Sequence, residues 1–211
     1  MSLTLYTESS WMSPWVFHVL IALEELQVPY RIEVVPLPMP GERKTELQDH
    51  AVLGKVPVLV HDGVWISESL AITEYLAEAF PPPIHPALLP ADRVSRARAR
   101  QVMSWLRTSL GALREYRPTS GVFGRPTSHP LTDQARNDAA ELLRVAGKLV
   151  GEGKTSLFDG GWCIADTDLA LALMRMVATQ DPMPKHLTDY ALAVFDRTSV
   201  HKYMAHLPTA P

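Results

Sequence analysis

A mixed α/β N-terminal domain joined to an all-α C-terminal domain is the architecture that this 211-residue sequence predicts. Three observations carry it. Residues 1–80 alternate short strand-like runs with helix-period stretches, in the order β-α-β-(α)-β-β-α. Residues 81–90 hold five prolines, which neither a helix interior nor a central strand tolerates. From residue 92 onward, the periodic stretches repeat their apolar residues at helical spacing.

Each element has a local reason. Leu3 to Tyr6 reads as a strand. Ser13-Pro14 opens a helix to about Gln27, with a favoured N-cap residue followed by a favoured first helical residue. Val16, Val19, Leu20, Leu23 and Leu26 give that helix its apolar face. Tyr30 to Val35 is a second strand. Residues 36–55 read as irregular, with a helical turn near 43–49. Val56 to His61 and Val64 to Ile66 flank Asp62-Gly63, a favoured hairpin turn. Ser67 to Ala79 is a helix with Leu70, Ile72, Tyr75 and Leu76 as apolar contacts. One helix-covered sheet with parallel and antiparallel pairs closes this segment. Residues 81–91 form a stiff proline-rich linker. Residues 92–211 then hold one long helix from Asp92 to about Tyr116, a second over 132–152, a third over 165–179, and shorter ones near 184–197 and 200–206.

Composition narrows the function. The chain is 46% apolar and 20% charged, which suits a packed core. Residues 1–80 carry a net charge of −7 and residues 81–211 a net of +4, so neither half is basic enough to suggest nucleic acid. The start lacks a basic-then-apolar leader, and a soluble cytoplasmic protein is expected. The single cysteine, Cys163, allows no internal disulfide and no CxxC redox pair. The eight histidines show no ligand spacing, and no metal is expected.

Three places bear chemistry. Val56-Pro57-Val58 opens a strand with a proline, which suits an edge or a special turn; the X-Pro bond is either an ordinary trans edge bond or cis. Ser67-Glu68-Ser69 lies at a helix start, where free N–H groups bind a carboxylate and Glu68 can meet an ammonium, as in an amino-acid head group; simple capping is the plainer reading. Ser13 lies at another helix start, beside Trp11, Met12 and Trp15.

Taken together, the Ser-Pro helix start, G-K-V-P-V-L, the D-G hairpin and S-E-S-L-A-I-x-E-Y-L resemble the glutathione-binding domain of the cytosolic glutathione transferases. L-L-P-A-D before an Arg/Ala-rich helix, and C-I-A-D-T-D-L-A-L, are similar to that family's helical domain. Glu42, Arg117-Pro118-Thr119 and 162–166 resemble its bacterial YfcF-like branch. The resemblance spans almost the whole chain. It implies a thioredoxin-like glutathione-binding domain over 1–80 and a helical domain over 92–211 that carries the acceptor-substrate pocket. It also implies a homodimer and a role in detoxification or oxidative stress. Pro57 is then a cis-proline presenting the Val56 backbone to the cysteinyl part of glutathione. Glu68 and Ser69 hold the γ-glutamyl end. Lys55 meets the glycine carboxylate, with Lys44 and His50 as alternatives.

Ser13 is the expected catalytic residue, as in the family's serine classes. A thiol of pKa ~8.5 is mostly protonated at neutral pH, and only the thiolate attacks. A hydroxyl aimed at the sulfur from a helix N-terminus favours the anion. Ser9 and Ser10 are the fallback donors; Tyr6 does not fit the tyrosine-class pattern. Met12, Trp15, Arg107 and Tyr116 are the expected acceptor pocket, and Trp105 reads as core. The implied reaction is thiolate addition to an electrophile, reduction of an organic hydroperoxide, or both. Two alternatives stand beside it: a non-catalytic glutathione-binding or interaction module, and a thiol-disulfide exchange enzyme acting through Cys163.

Cys163 and Asp166 occupy the ends of an S/T-x-x-D/E capping pattern, with Cys as a poor cap, so Asp166 must do more. Both Asp166 and Asp168 read as structural. Arg93, Arg96, Arg100, Arg107 and Arg114 form a stripe that reads as a solvated face. An acidic partner on a second subunit, with Glu74 and Glu78 as candidates, is the further possibility.

Overall fold

The computed structural model describes residues 2–127 and 129–208. Its contacts divide the chain into two compact units. One runs to Leu88 and also takes the chain from Lys202 onward; the other is Leu89–His201.

The first unit is built on a four-stranded sheet of order β2-β1-β3-β4, formed by β1 (Leu3–Glu8), β2 (Arg31–Val35), β3 (Val58–His61) and β4 (Val64–Ser67). β1 pairs parallel with β2 across helix α1 (Pro14–Leu26), a β-α-β crossover, and antiparallel with β3. β3 and β4 form the hairpin expected at Asp62-Gly63, where both residues take positive φ (46° and 87°), as a two-residue I′ turn requires. β1 runs two residues beyond the expected strand because Thr7 and Glu8 continue the ladder to Val34 and Val35. Leu3, Leu5 and Thr7 bury one face of it.

Helix α1 is buried almost all round, from Val16 to Leu23, and packs on β1 and on helix α3 (Ser69–Ala79). α3 buries Ser69, Ile72, Thr73 and Leu76, the i, i+3, i+4, i+7 face. His18 of α1 is fully buried, and its Nε2 lies 2.8 Å from Thr73 Oγ1, which itself donates to the Ser69 carbonyl.

The stretch expected to be irregular contains a three-turn helix, α2 (Gly41–Ala51). Its periodicity is faint because only Leu47 and Ala51 are buried, against Val58 in a small cluster edged by Tyr6, Met39, Val56 and Trp65.

The second unit is helical. The long helix expected from Asp92 to Tyr116 is broken into α4 (Arg93–Thr108) and α5 (Gly111–Tyr116), because Leu110 takes a left-handed conformation, φ 59°. Asp92 caps α4 by accepting from the Ser95 N–H at 2.8 Å. A short α6 (Thr119–Phe123) follows, then α7 (Asp133–Leu149), capped by Thr132. Helix α8 (Ile164–Val177) is buried on nearly every side and packs on α4, α6, α7 and α9 (Lys185–Phe195). α10 (Thr198–Met204) ends the described helices.

Asp166 carries much of the polar order around α8. Its Oδ2 accepts from the Cys163 N–H at 2.8 Å, and its Oδ1 accepts from the Leu157 N–H at 2.7 Å and the Tyr190 hydroxyl at 2.8 Å. Burial pushes its carboxyl above the ordinary value, against the pull of these donors. The lower end of the arginine stripe is not a solvated face. Arg107 is ion-paired with buried Asp168 and also donates to the Met103 carbonyl at 3.0 Å, and Arg114 donates to the Arg107 carbonyl. Arg117 grips Asp181 with two hydrogen bonds, at 2.6 and 2.8 Å. Among the described residues, no helix is long and apolar enough to cross a membrane.

Candidate active site

The strand register gathers the chemistry-bearing residues of the first unit. Tyr6 near the end of β1 pairs with Val58 at the start of β3, and Val58 pairs with Ser67 at the end of β4. Three connections therefore emerge at one end of the sheet: the loop after β1 that carries Ser13, the Lys55-Val56-Pro57 approach to β3, and the Glu68-Ser69 turn after β4. The Val56–Pro57 peptide is cis. Ser67 Oγ donates to the Ala51 carbonyl at 2.8 Å and so ties the Glu68 turn to the segment that leads into Lys55.

Two helices begin at this end. Ser13 is the N-cap of α1, with extended backbone (φ −73°, ψ 120°), and its Oγ accepts from the Val16 N–H at 3.3 Å. Glu68 precedes α3 and makes no side-chain cap bond. It is exposed, with φ 69° and ψ 116°, a conformation that costs a non-glycine residue of order 1–3 kcal/mol. Ser69 is buried directly behind it, and Lys55 is exposed. The His18–Thr73 contact, extended by Thr73 to the Ser69 carbonyl, links the body of α1 to the first turn of α3.

The three candidate hydroxyls are used differently. Ser9 Oγ accepts from the Leu37 N–H at 3.1 Å. Ser10 Oγ donates to Glu8 Oε2 at 2.5 Å. Ser13 Oγ, like Ser9 Oγ, only accepts, but it alone of the three caps a helix N-terminus. Met12 and Trp15 flank it, each half-buried.

Arg107 and Tyr116 lie in the second unit. The Arg107 guanidinium is taken by Asp168, which gives it a structural use. Tyr116 lines a pocket of about 270 Å³ with Glu115, Pro118, Thr127 and His129. Cys163 is buried, and burial above all, with the Asp166 charge, pushes its thiol up to about 12. That is far above the range of reactive cysteines.

Two sources of order in the Ser13 loop, Glu8 and the Tyr203–His206 segment, were not legible in the sequence. Glu8, only 5% exposed, accepts from the N–H groups of Ser10, Trp11 and Ser13 as well as from the Ser10 hydroxyl. Tyr203 donates to the Trp11 carbonyl, and His206 stacks on the Trp11 ring at 4.4 Å. An acid at a strand end followed by two serines is the only local sign of the first. The second lies almost the whole chain away.

Comparison with known proteins agrees across the chain. Residues 12–79 match the model of the glutathione S-transferase N-terminal domain, and residues 92–208 match that of the C-terminal domain. A solved glutathione transferase homologue from Burkholderia, with bound glutathione, is 33% identical and superposes with a TM-score of 0.78 over 97% of each chain. A probable glutathione S-transferase of Nicotiana tabacum is 36% identical over 164 residues, 78% of this chain and 66% of that protein. A probable maleylacetoacetate isomerase of Caenorhabditis elegans is 42% identical over 94 residues, 44% of this chain and 42% of that protein. The chain thus covers less than two thirds of the length of either curated relative.

Proposed function

The chain belongs to the glutathione S-transferase family, and on that premise we propose that it binds glutathione at the strand-end site of its first unit, with Ser13 holding the sulfur as a thiolate. The observation that carries this reading is the Ser13 hydroxyl at the N-terminus of α1, accepting from the Val16 N–H and keeping its own proton for a ligand; Ser10 donates its proton to Glu8, and Ser9, which also only accepts, does not cap a helix. A hydroxyl proton and the positive end of a 13-residue helix both favour the anionic sulfur. This is a serine-type site. Glu68 and Ser69 take the γ-glutamyl head group, the Val56 backbone beside Pro57 takes the cysteinyl part, and Lys55 takes the glycine carboxylate.

The chemistry follows from the thiolate. The glutathione thiol releases its proton to solvent, and the sulfur lone pair forms a C–S bond while the electrophile's leaving group departs with its bonding pair or, in an addition, the π pair shifts onto the acceptor, which takes up a proton. With a hydroperoxide, the sulfur attacks the O–O bond, giving an alcohol and a sulfenic acid. A second glutathione then reduces the sulfenic acid to water and glutathione disulfide. Positioning and thiolate stabilisation supply the rate gain. Met12 and Trp15, which flank Ser13, are proposed as acceptor contacts, and a homodimer belongs to the same reading. Exchange chemistry through Cys163 is disfavoured by its burial and raised pKa.

The test is a glutathione titration that follows thiolate absorbance against pH in the parent and in Ser13→Ala, with an electrophile and a hydroperoxide assayed in parallel. The expected result is a bound-thiol pKa below that of free glutathione, rising by about 1 unit or more in Ser13→Ala, the size of one lost hydrogen bond to a charged group. Binding with an unshifted thiol pKa in both proteins would leave only a non-catalytic binding module.

A further inference from the structure

Glu8 is an acid where an acid is costly. It closes β1, is 5% exposed, and no cation is among the groups bonded to it in the Ser13 loop. A buried carboxylate loses water that only hydrogen-bond donors can replace. Here four donors replace it, all from the loop that leads to Ser13. Oε2 accepts from the Ser10 N–H at 2.6 Å, the Ser10 hydroxyl at 2.5 Å and the Trp11 N–H at 2.8 Å. Oε1 accepts from the Ser13 N–H at 2.9 Å. The loop must then fold back over a single side chain, and Trp11 enters the left-handed region, φ 56°.

We propose that Glu8 is the positioning residue of the site: its carboxylate anchors the Ser13 backbone so that the Ser13 hydroxyl meets the glutathione sulfur. Two bonds define the serine, one from its N–H to Glu8 and one to its Oγ from the Val16 N–H. The first places the residue and the second orients the side chain. Charge-assisted bonds to a carboxylate are about twice as strong as neutral ones, so this anchor is stiff. The same carboxylate takes the Ser10 hydroxyl proton, so Ser10 does not compete with Ser13 as the donor. Glu8 touches neither substrate nor sulfur in this scheme and acts through Ser13.

The inference rests on the reading of Ser13 as the thiolate donor, and electrostatics supplies a test that separates the two. Removing a nearby negative charge by itself makes a thiol more acidic. Losing the position of Ser13 makes it less acidic. In Glu8→Gln, the amide nitrogen cannot accept and the charge is gone, so the donors on one oxygen lose their acceptor and the remaining bonds weaken. The bound glutathione thiol pKa is expected to rise by about 1 unit, with glutathione affinity within about threefold of the parent. In a Ser13→Ala background, the same change is expected to raise it no further, because coupled residues are non-additive.

Glu8→Asp keeps the charge on a shorter arm and is expected to show a smaller rise; it also serves if Glu8→Gln does not fold. A thiol pKa that stays level or falls in the Glu8 variants, while Ser13→Ala raises it, overturns the positioning role and leaves the Ser13 reading intact. A rise that persists undiminished in the Ser13→Ala background overturns action through Ser13. No shift in Ser13→Ala overturns the Ser13 reading, and this inference with it.

Discussion

Tyr203 donates its hydroxyl to the backbone carbonyl of Trp11 at 2.7 Å, across 192 positions of sequence. The phenol is fully buried, packs edge-on against Phe17 with 4.8 Å between ring centres, and is pushed up from its ordinary pKa by burial. The chain's last described helix thereby holds the loop that carries Ser13, and Lys202 adds an ion pair to Glu24 of α1 at 2.5 Å. Tyr203→Phe keeps the ring and strands the carbonyl. It is expected to cost about 1–3 kcal/mol in urea unfolding, with faster amide exchange at Trp11 and Ser13.

Asp166 serves three buried donors at once. Asp166→Ala orphans the Cys163 and Leu157 N–H groups and the Tyr190 hydroxyl, and a loss of about 3 kcal/mol or more is expected. Asp166→Asn keeps one acceptor oxygen and is expected to lose less. Denaturation midpoints at constant m-value distinguish the two.

Cys163 gives a pH signature. Its folded pKa of about 12 lies above the ordinary 9.0, so its stabilising contribution is complete below pH 9 and disappears as pH rises through about 12. Cys163→Ala is expected to flatten the stability profile in that window. At pH 8 the native thiol is expected to alkylate roughly a thousandfold slower than after unfolding, from the ratio of thiolate fractions alone.

Asp181 runs the other way. Arg117 holds its carboxyl below the ordinary 3.8, so the stability it supplies is present above that value and is lost as pH falls through the folded pKa. Asp181→Asn is expected to be less stable at pH 7 and to lose less between pH 4 and pH 2, as followed by circular dichroism.

Val52 is strained. It has φ 68° and ψ −41°, and the Leu53 N–H donates to the Ala51 carbonyl at 2.7 Å, making a three-residue turn that β-branched residues rarely enter. Its side chain is 83% exposed, so little packing is at stake. Val52→Gly is expected to stabilise the protein by about 1 kcal/mol in thermal unfolding, the strain relieved exceeding the entropy added to the unfolded chain.

Much of the fold was legible because local physics is written locally. Ser13-Pro14 starts a helix by capping and fixed φ, and Asp62-Gly63 makes its turn because both positions accept positive φ. The apolar period of α3 and the proline run at 81–90 follow the same logic. What was not legible had a weak period or a distant cause. α2 buries only Leu47 and Ala51. The break at Leu110 reverses the backbone inside a stretch whose side chains continue the helical pattern.

The sequence by itself determined the family, the two-part architecture, and the serine, proline and acid–serine pairs at loop and helix starts, since these depend on neighbours one to four residues apart. Only the tertiary structure decided how they are used. Strand register brought the Ser13 loop, Pro57 and Glu68 to one end of the sheet. Burial raised the pKa of the Cys163 thiol, and packing paired Arg107 with Asp168. Burial leaves the Glu8 carboxylate dependent on hydrogen-bond donors, and the N–H groups of Ser10, Trp11 and Ser13 supply them in an arrangement that no local period marks.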